Sequence, residues 1–121
     1  MPVKGTRILV VDDERSIRHL YKTALVLAGF EVDTAEDGLS ALRKIDECRP
    51  HCIVLDLHLP RVDGLGVLGE LRANSYTWDI PVVVVTGTNY QYAVAQASAI
   101  LKKPCTPEDL IEEIEKQLAV A

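Results

Sequence analysis

The 121-residue chain is expected to fold as one doubly wound α/β domain, (βα)5, with five parallel strands and helices on both sheet faces. Three observations lead there. Short apolar runs rich in β-branched residues alternate with segments of helical periodicity. The runs lack polar alternation, which is the habit of parallel strands buried on both faces. Gly29, Pro50, Pro60 and the pair Thr106-Pro107 punctuate the chain between elements.

In order, Arg7-Ile8-Leu9-Val10-Val11 reads as a buried strand. From Arg15 to Ala28, Ile17, Leu20, Tyr21, Ala24 and Leu27 or Ala28 draw one helical stripe, and Gly29 closes it as a C′ residue. Phe30 to Ala35 is a weaker strand with Val32 inward. Gly38 to Cys48 is a helix facing in with Ala41, Leu42 and Ile45, and Arg49-Pro50 breaks it. Cys52 to Asp56 is the third strand, followed by a loop through Pro60 to Asp63 and a helix from about Gly64 to Arg72. Ile80 to Val85, with four successive valines, is the most strand-like run. Tyr90 to Ala97 suits a short Ala-rich helix, and Ala99-Ile100-Leu101 a brief fifth strand. Thr106 then caps a last helix, with Pro107 at its first position, Glu108 and Asp109 in its first turn, and Leu110, Ile111, Ile114 and Leu118 inward. No internal repeat, low-complexity segment or linker interrupts residues 1–121.

Composition narrows the function. Apolar residues are 48% of the chain, enough for a core at this length, and charged residues are 26%. With a mean hydropathy of +0.10 the chain is not a disordered one. A formal net charge of −5 argues against direct nucleic-acid binding and against docking on an anionic membrane. No apolar run approaches a membrane span, and Met1 to Gly5 lacks a secretory signal's apolar stretch. Three cysteines (Cys48, Cys52, Cys105) without framework spacing read as free thiols, which fits a cytoplasmic location.

Chemistry concentrates past the carboxyl ends of the strands, where such folds bind ligands. Asp12-Asp13 follows strand one, Asp56 ends strand three, Thr86 strand four and Lys103 strand five. If strands one and three are neighbours, three carboxylates converge. Two unit charges about 4 Å apart repel by roughly 4 kcal/mol at an effective dielectric near 20, so the cluster needs a proton, a cation or a lysine. All-oxygen donors suit Mg²⁺. A hydroxyl and an ammonium opposite suit a tetrahedral anion. Together they describe a site for moving a phosphoryl group, with one Asp as nucleophile.

Val10-Val11-Asp12-Asp13-Glu14, Asp56-Leu57-His58-Leu59-Pro60 with Asp63-Gly64, Thr86-Gly87 and Lys103-Pro104 resemble a response-regulator receiver domain of two-component signalling, in the CheY-like superfamily. The resemblance covers essentially the whole chain. It implies a flavodoxin-like sandwich with strand order 2-1-3-4-5. By the same resemblance Asp56 would accept a phosphoryl group from a phosphohistidine. Asp12, Asp13, Asp56 and the backbone carbonyl of His58 would hold Mg²⁺. Thr86 would hydrogen-bond the phosphoryl group, Lys103 would pair with it, and the Lys103-Pro104 peptide would be cis. The implied partners are a sensor histidine kinase or phosphotransfer protein and an unknown downstream protein, with the domain a monomer or weak homodimer.

Three features depart from that pattern. Only 16 residues separate Thr86 from Lys103, fewer than the family's usual spacing by about five, more than one helical turn. The fourth helix should therefore be short or irregular. Ile100 stands where an aromatic switch residue is usual, and Cys105 where Phe is common. Phosphorylation chemistry is thus expected to be intact and the output relay altered.

Blander readings attach to several residues. Asp12 or Asp13 could merely cap the first helix, but capping explains one acid, not three. Thr86 could be an ordinary loop hydroxyl. Of Lys102 and Lys103, the residue before Pro is the one the motif selects. Gly64-x-Gly66-x-x-Gly69 matches a dinucleotide fingerprint in the wrong context, since a Pro-containing loop separates it from its strand, and its glycines are expected to permit close helix packing. Cys48, His51 and Cys52 offer only three zinc ligands and read as structural. His58 reads either as a general base beside Asp56 or as a solvent-facing side chain that tunes phosphoryl lifetime. Trp78 reads as a partly buried loop anchor, and Tyr90 and Tyr92 as packing residues ahead of partner contacts.

The expected function is a phosphoacceptor signalling module rather than a turnover enzyme. The chain reads as one receiver domain over residues 1–121, with no effector domain in it. The alternative is a receiver-like interaction domain that works without phosphorylation. An aspartate-nucleophile phosphatase ranks last, because His58 stands where its general acid would be.

Overall fold

The computed structural model describes residues 4–87 and 95–119. Five strands, β1 (Arg7–Val11), β2 (Glu31–Ala35), β3 (Cys52–Leu55), β4 (Val82–Thr86) and β5 (Ala99–Lys102), form one parallel sheet in the order β2-β1-β3-β4-β5. The helices among the described residues are α1 (Arg15–Leu27), α2 (Gly38–Glu47), α3 (Gly64–Ala73) and α4 (Pro107–Ala119). The short helix expected over Tyr90 to Ala97, with Tyr90 and Tyr92, falls mostly outside the described residues.

Strand alternation splits the core in two. Leu9, Val11, Ile53, Leu55, Val82 and Val84 face Ala41 and Ile45 of α2 and Val67, Leu68 and Leu71 of α3. Ile8, Val10, Cys52, Val54, Val83 and Val85 face Tyr21 and Leu25 of α1 and Leu110 and Ile114 of α4. Burial of β3, of β4 and of β1 beyond Arg7 explains the unbroken apolar runs, while the edge strand β2 has its apolar Val32 half-buried. Among the described residues no helix is long and apolar enough to cross a membrane.

The helix starts follow capping chemistry. Asp37 accepts a hydrogen bond from the Ser40 N–H, Asp63 from the Gly66 N–H, and Thr106 Oγ1 from the Asp109 N–H. Gly29 has φ 103°, as its C′ role requires.

Three expectations need correction. The α1 stripe runs through Ile17, Tyr21, Ala24, Leu25 and Ala28, not through Leu20 or Leu27, which is 83% exposed. A stripe at spacings of three and four leaves neighbouring apolar positions undecided, and the sheet selects Leu25. Trp78 is 60% exposed, so its side chain is not the buried anchor of the loop; the buried Thr77 is, donating from Oγ1 to the Leu71 carbonyl at 2.8 Å. Of the three glycines in the 64–69 run, Gly69 faces open space, whereas a Cβ on Gly64 would lie 2.5 Å from the Asp56 carbonyl oxygen.

Candidate functional site

Strand register assembles the site. Val11 pairs with Leu55, so the next residues, Asp12 and Asp56, emerge side by side at the sheet's carboxyl edge. The Asp12 N–H donates to the Ala35 carbonyl and the Asp56 N–H to the Val11 carbonyl, which fixes both backbones. Thr86 pairs with Lys102 across β4 and β5, and the Lys103 N–H donates to the Thr86 carbonyl at 2.9 Å. Lys103 is thereby turned toward the acids, while Lys102 is exposed. The Lys103–Pro104 peptide is cis.

The side chains converge. Lys103 Nζ donates to Asp12 Oδ2 at 2.9 Å and to Asp56 Oδ2 at 3.3 Å. Asp56 Oδ1 accepts the His58 N–H at 3.3 Å, while the His58 side chain is exposed. Asp12 Oδ1 accepts the Glu14 N–H at 2.9 Å, so Asp12 both trims the start of α1 and lies in the cluster. Asp12 and Asp56 are 3% and 6% exposed, whereas Asp13 is open to solvent. Thr86 is completely buried at the end of β4. Ile100 is half-buried against the core beneath α2 and α3.

Burial, then the Asp12 carboxylate beside it, holds the Asp56 pKa above its ordinary 3.8, against the opposing pull of Lys103 and the His58 N–H. Burial is also the largest single influence on Lys103 and works against its charge. Asp12 and Asp56 together outweigh it, and the Lys103 pKa ends above 10.5. The two directions are compatible: one ammonium shared between two buried carboxylates neutralises neither fully.

The carboxylate oxygens of Asp12, Asp13 and Asp56 lie within 4.8 Å of one another. Three acids against one lysine leave negative charge in excess, and every donor is oxygen. That set fits a small, hard divalent cation such as Mg²⁺. Cys48, His51 and Cys52 are not brought together: Cys48 is exposed, Cys52 is buried under α1 and α4, and His51 Nδ1 accepts the Arg7 N–H at 2.9 Å.

Two residues that shape the site were not singled out by sequence. Gly38, at the start of α2, would collide with the Val62 carbonyl if it carried a Cβ, so it admits the loop that leaves β3. Tyr21 was read only as part of an apolar stripe, yet its hydroxyl donates to the Cys105 carbonyl at 3.2 Å. That contact spans 84 residues, and no local pattern signals it.

Comparison with known proteins agrees with this arrangement. The family model for the response regulator receiver domain matches residues 8–115. The response regulator MprA of Mycobacterium sp. (strain KMS) is 40% identical over 116 residues, covering 92% of this chain and 48% of that protein. A probable transcriptional regulator, ycf27, of Cyanophora paradoxa is 45% identical over 86 residues, covering 71% of this chain and 35% of that protein. The chain thus spans half or less of these relatives' length. Among solved structures, the chemotaxis protein CheY4 of Vibrio cholerae has a TM-score of 0.86 at 32% identity, covering 93% of this chain and 98% of that one. The response regulator TrrA of Thermotoga maritima, in complex with Mg²⁺ and BeF, has a TM-score of 0.84 at 35% identity, covering 95% of this chain and 99% of that one. By strand order, by the acids and lysine at the sheet edge and by these matches, the chain belongs to the response regulator receiver domain family of two-component signalling.

Proposed function

We propose that the chain accepts a phosphoryl group on the Asp56 carboxylate from the phosphohistidine of a sensor kinase or phosphotransfer protein. The observation that carries this reading is the shared grip of Lys103 on Asp12 and Asp56 at the mouth of β3. An Asp56 oxygen attacks phosphorus, the P–N bond breaks, and the electron pair returns to the imidazole. Water later cleaves the acyl phosphate, giving inorganic phosphate and restoring the carboxylate. Asp12, Asp13, Asp56 and the His58 carbonyl would hold Mg²⁺, which supplies positive charge for the phosphoryl oxygens. Lys103 supplies a further fixed positive charge, and the Thr86 hydroxyl, on the neighbouring strand end, is suited to bind a phosphoryl oxygen. Asp56 is the nucleophile in this reading: it is buried, its Oδ1 accepts the His58 N–H, and of the two buried acids it has the longer contact with Lys103.

Output is proposed to run without an aromatic relay. Ile100 has no ring to move behind Thr86, and it packs against the core of α2 and α3. A titration of the ¹⁵N-labelled protein with Mg²⁺ and beryllofluoride tests the phosphotransfer reading. Resonances of Asp56, Thr86 and Lys103 should shift. No shift there would favour an interaction domain that does not use phosphorylation.

A further inference from the structure

Tyr21 is buried among Ile8, Val10, Leu25 and Leu110, a setting that a phenylalanine would fill equally well. Its hydroxyl instead reaches out of that core to the Cys105 carbonyl, two residues beyond Lys103. On the other side, the Lys103 N–H is tied to the Thr86 carbonyl. Lys103 therefore lies between two anchors, one on β4 and one on α1. Burial pushes the Tyr21 pKa up to about 12, so the phenol stays a hydrogen-bond donor at neutral pH.

We propose that Tyr21 is a positioning residue: its hydroxyl fixes the Lys103-Pro104-Cys105 turn so that the Lys103 ammonium is held over Asp12 and Asp56. This rests on the phosphotransfer reading above. A lysine side chain is long and flexible, and its charge favours a transition state only where it is already in place. Fixing the backbone on both sides of Lys103 narrows where its ammonium can go. The hydroxyl's effect is thus felt through Lys103 and nowhere else in the reaction.

The test is a double-mutant cycle on the rate of phosphoryl uptake from acetyl phosphate with Mg²⁺, using Tyr21→Phe, Lys103→Met and the pair. Tyr21→Phe should slow uptake about two- to tenfold in the parent, the range one net hydrogen bond supplies. It should have no further effect once Lys103 is Met. Backbone amide exchange at Lys103 should also quicken in Tyr21→Phe. An unchanged rate, or the same slowing in both backgrounds, overturns the proposal, the second because a purely structural role would act with or without Lys103. A parent that takes up no phosphoryl group, from acetyl phosphate or from a phosphorylated histidine donor, overturns the phosphotransfer reading and this proposal with it. A phosphorylated parent matched by Tyr21→Phe overturns this proposal alone.

Discussion

Lys103 Nζ lies closer to Asp12, at 2.9 Å, than to Asp56, at 3.3 Å. The lysine's main partner is therefore the acid at the end of β1, and Asp56 receives the weaker share of its charge. That leaves the Asp56 carboxylate buried and incompletely neutralised, a state that favours a proton, a cation or a covalent electrophile at its oxygens.

Neutralising Asp56 should stabilise the protein. Burial and Asp12 raise its pKa above 3.8, so the folded state holds that proton more tightly than the unfolded chain does. The associated stability is present below the unfolded value and is lost as pH rises through the folded one. Where Asp56 is ionised, Asp56→Asn, which carries no charge, should therefore melt higher than the parent. Thermal melts from pH 7 downward should show the difference vanishing toward pH 3.8.

Mg²⁺ should stabilise the parent in proportion to its occupancy. At a free concentration about 100 times Kd the gain is roughly 2.7 kcal/mol. Replacing Asp13 with Ala removes an exposed ligand and little else, so it should abolish the Mg²⁺-dependent rise in Tm while leaving the metal-free Tm near the parent's. An undiminished rise would place the cation elsewhere.

Two helical glycines, Gly38 at the start of α2 and Gly69 inside α3, should respond oppositely to alanine. At Gly38 the new Cβ strikes the Val62 backbone carbonyl, which belongs to the loop below the site. A loss above about 2 kcal/mol is expected from such a clash. At Gly69 nothing lies within 4 Å, so Gly69→Ala should gain up to about 1 kcal/mol of helix propensity. Urea unfolding of both variants reads the two signs.

His51 should titrate below its ordinary 6.5. Burial is the first cause, followed by the charges of Arg7 and Arg49, and its Nδ1 accepts the Arg7 N–H, which requires the neutral ring. Its contribution is present above pH 6.5 and is lost as pH falls through the lowered folded value. An NMR titration of the His51 ring should give a midpoint below 6.5, and a midpoint at or above it would contradict the contact with the Arg7 N–H.

The sheet was legible because β1, β3 and β4 are buried on both faces between their ends, so that apart from Arg7 and Thr86 they are apolar and mostly β-branched. The acids and Lys103 were legible because a parallel sheet puts every strand's carboxyl end on one edge, and each strand in question ends in a chemically distinctive residue. What escaped depends on contacts between distant segments. Leu25 and Leu27 are both apolar and nearly adjacent, and only the sheet decides that Leu25 goes in. Thr77, not the larger Trp78, is buried because its hydroxyl finds the Leu71 carbonyl. The Gly38–Val62 approach and the Tyr21–Cys105 hydrogen bond join residues with no shared local pattern.

Intact-mass spectrometry after incubation with acetyl phosphate and Mg²⁺, run beside Asp56→Asn, tests the assignment of Asp56 most directly. The parent should gain the mass of one phosphoryl group, and the gain should be absent in Asp56→Asn and in the parent without Mg²⁺. A phosphoryl adduct that persists in Asp56→Asn, or none on the parent even from a phosphorylated histidine donor, would contradict Asp56 as the acceptor.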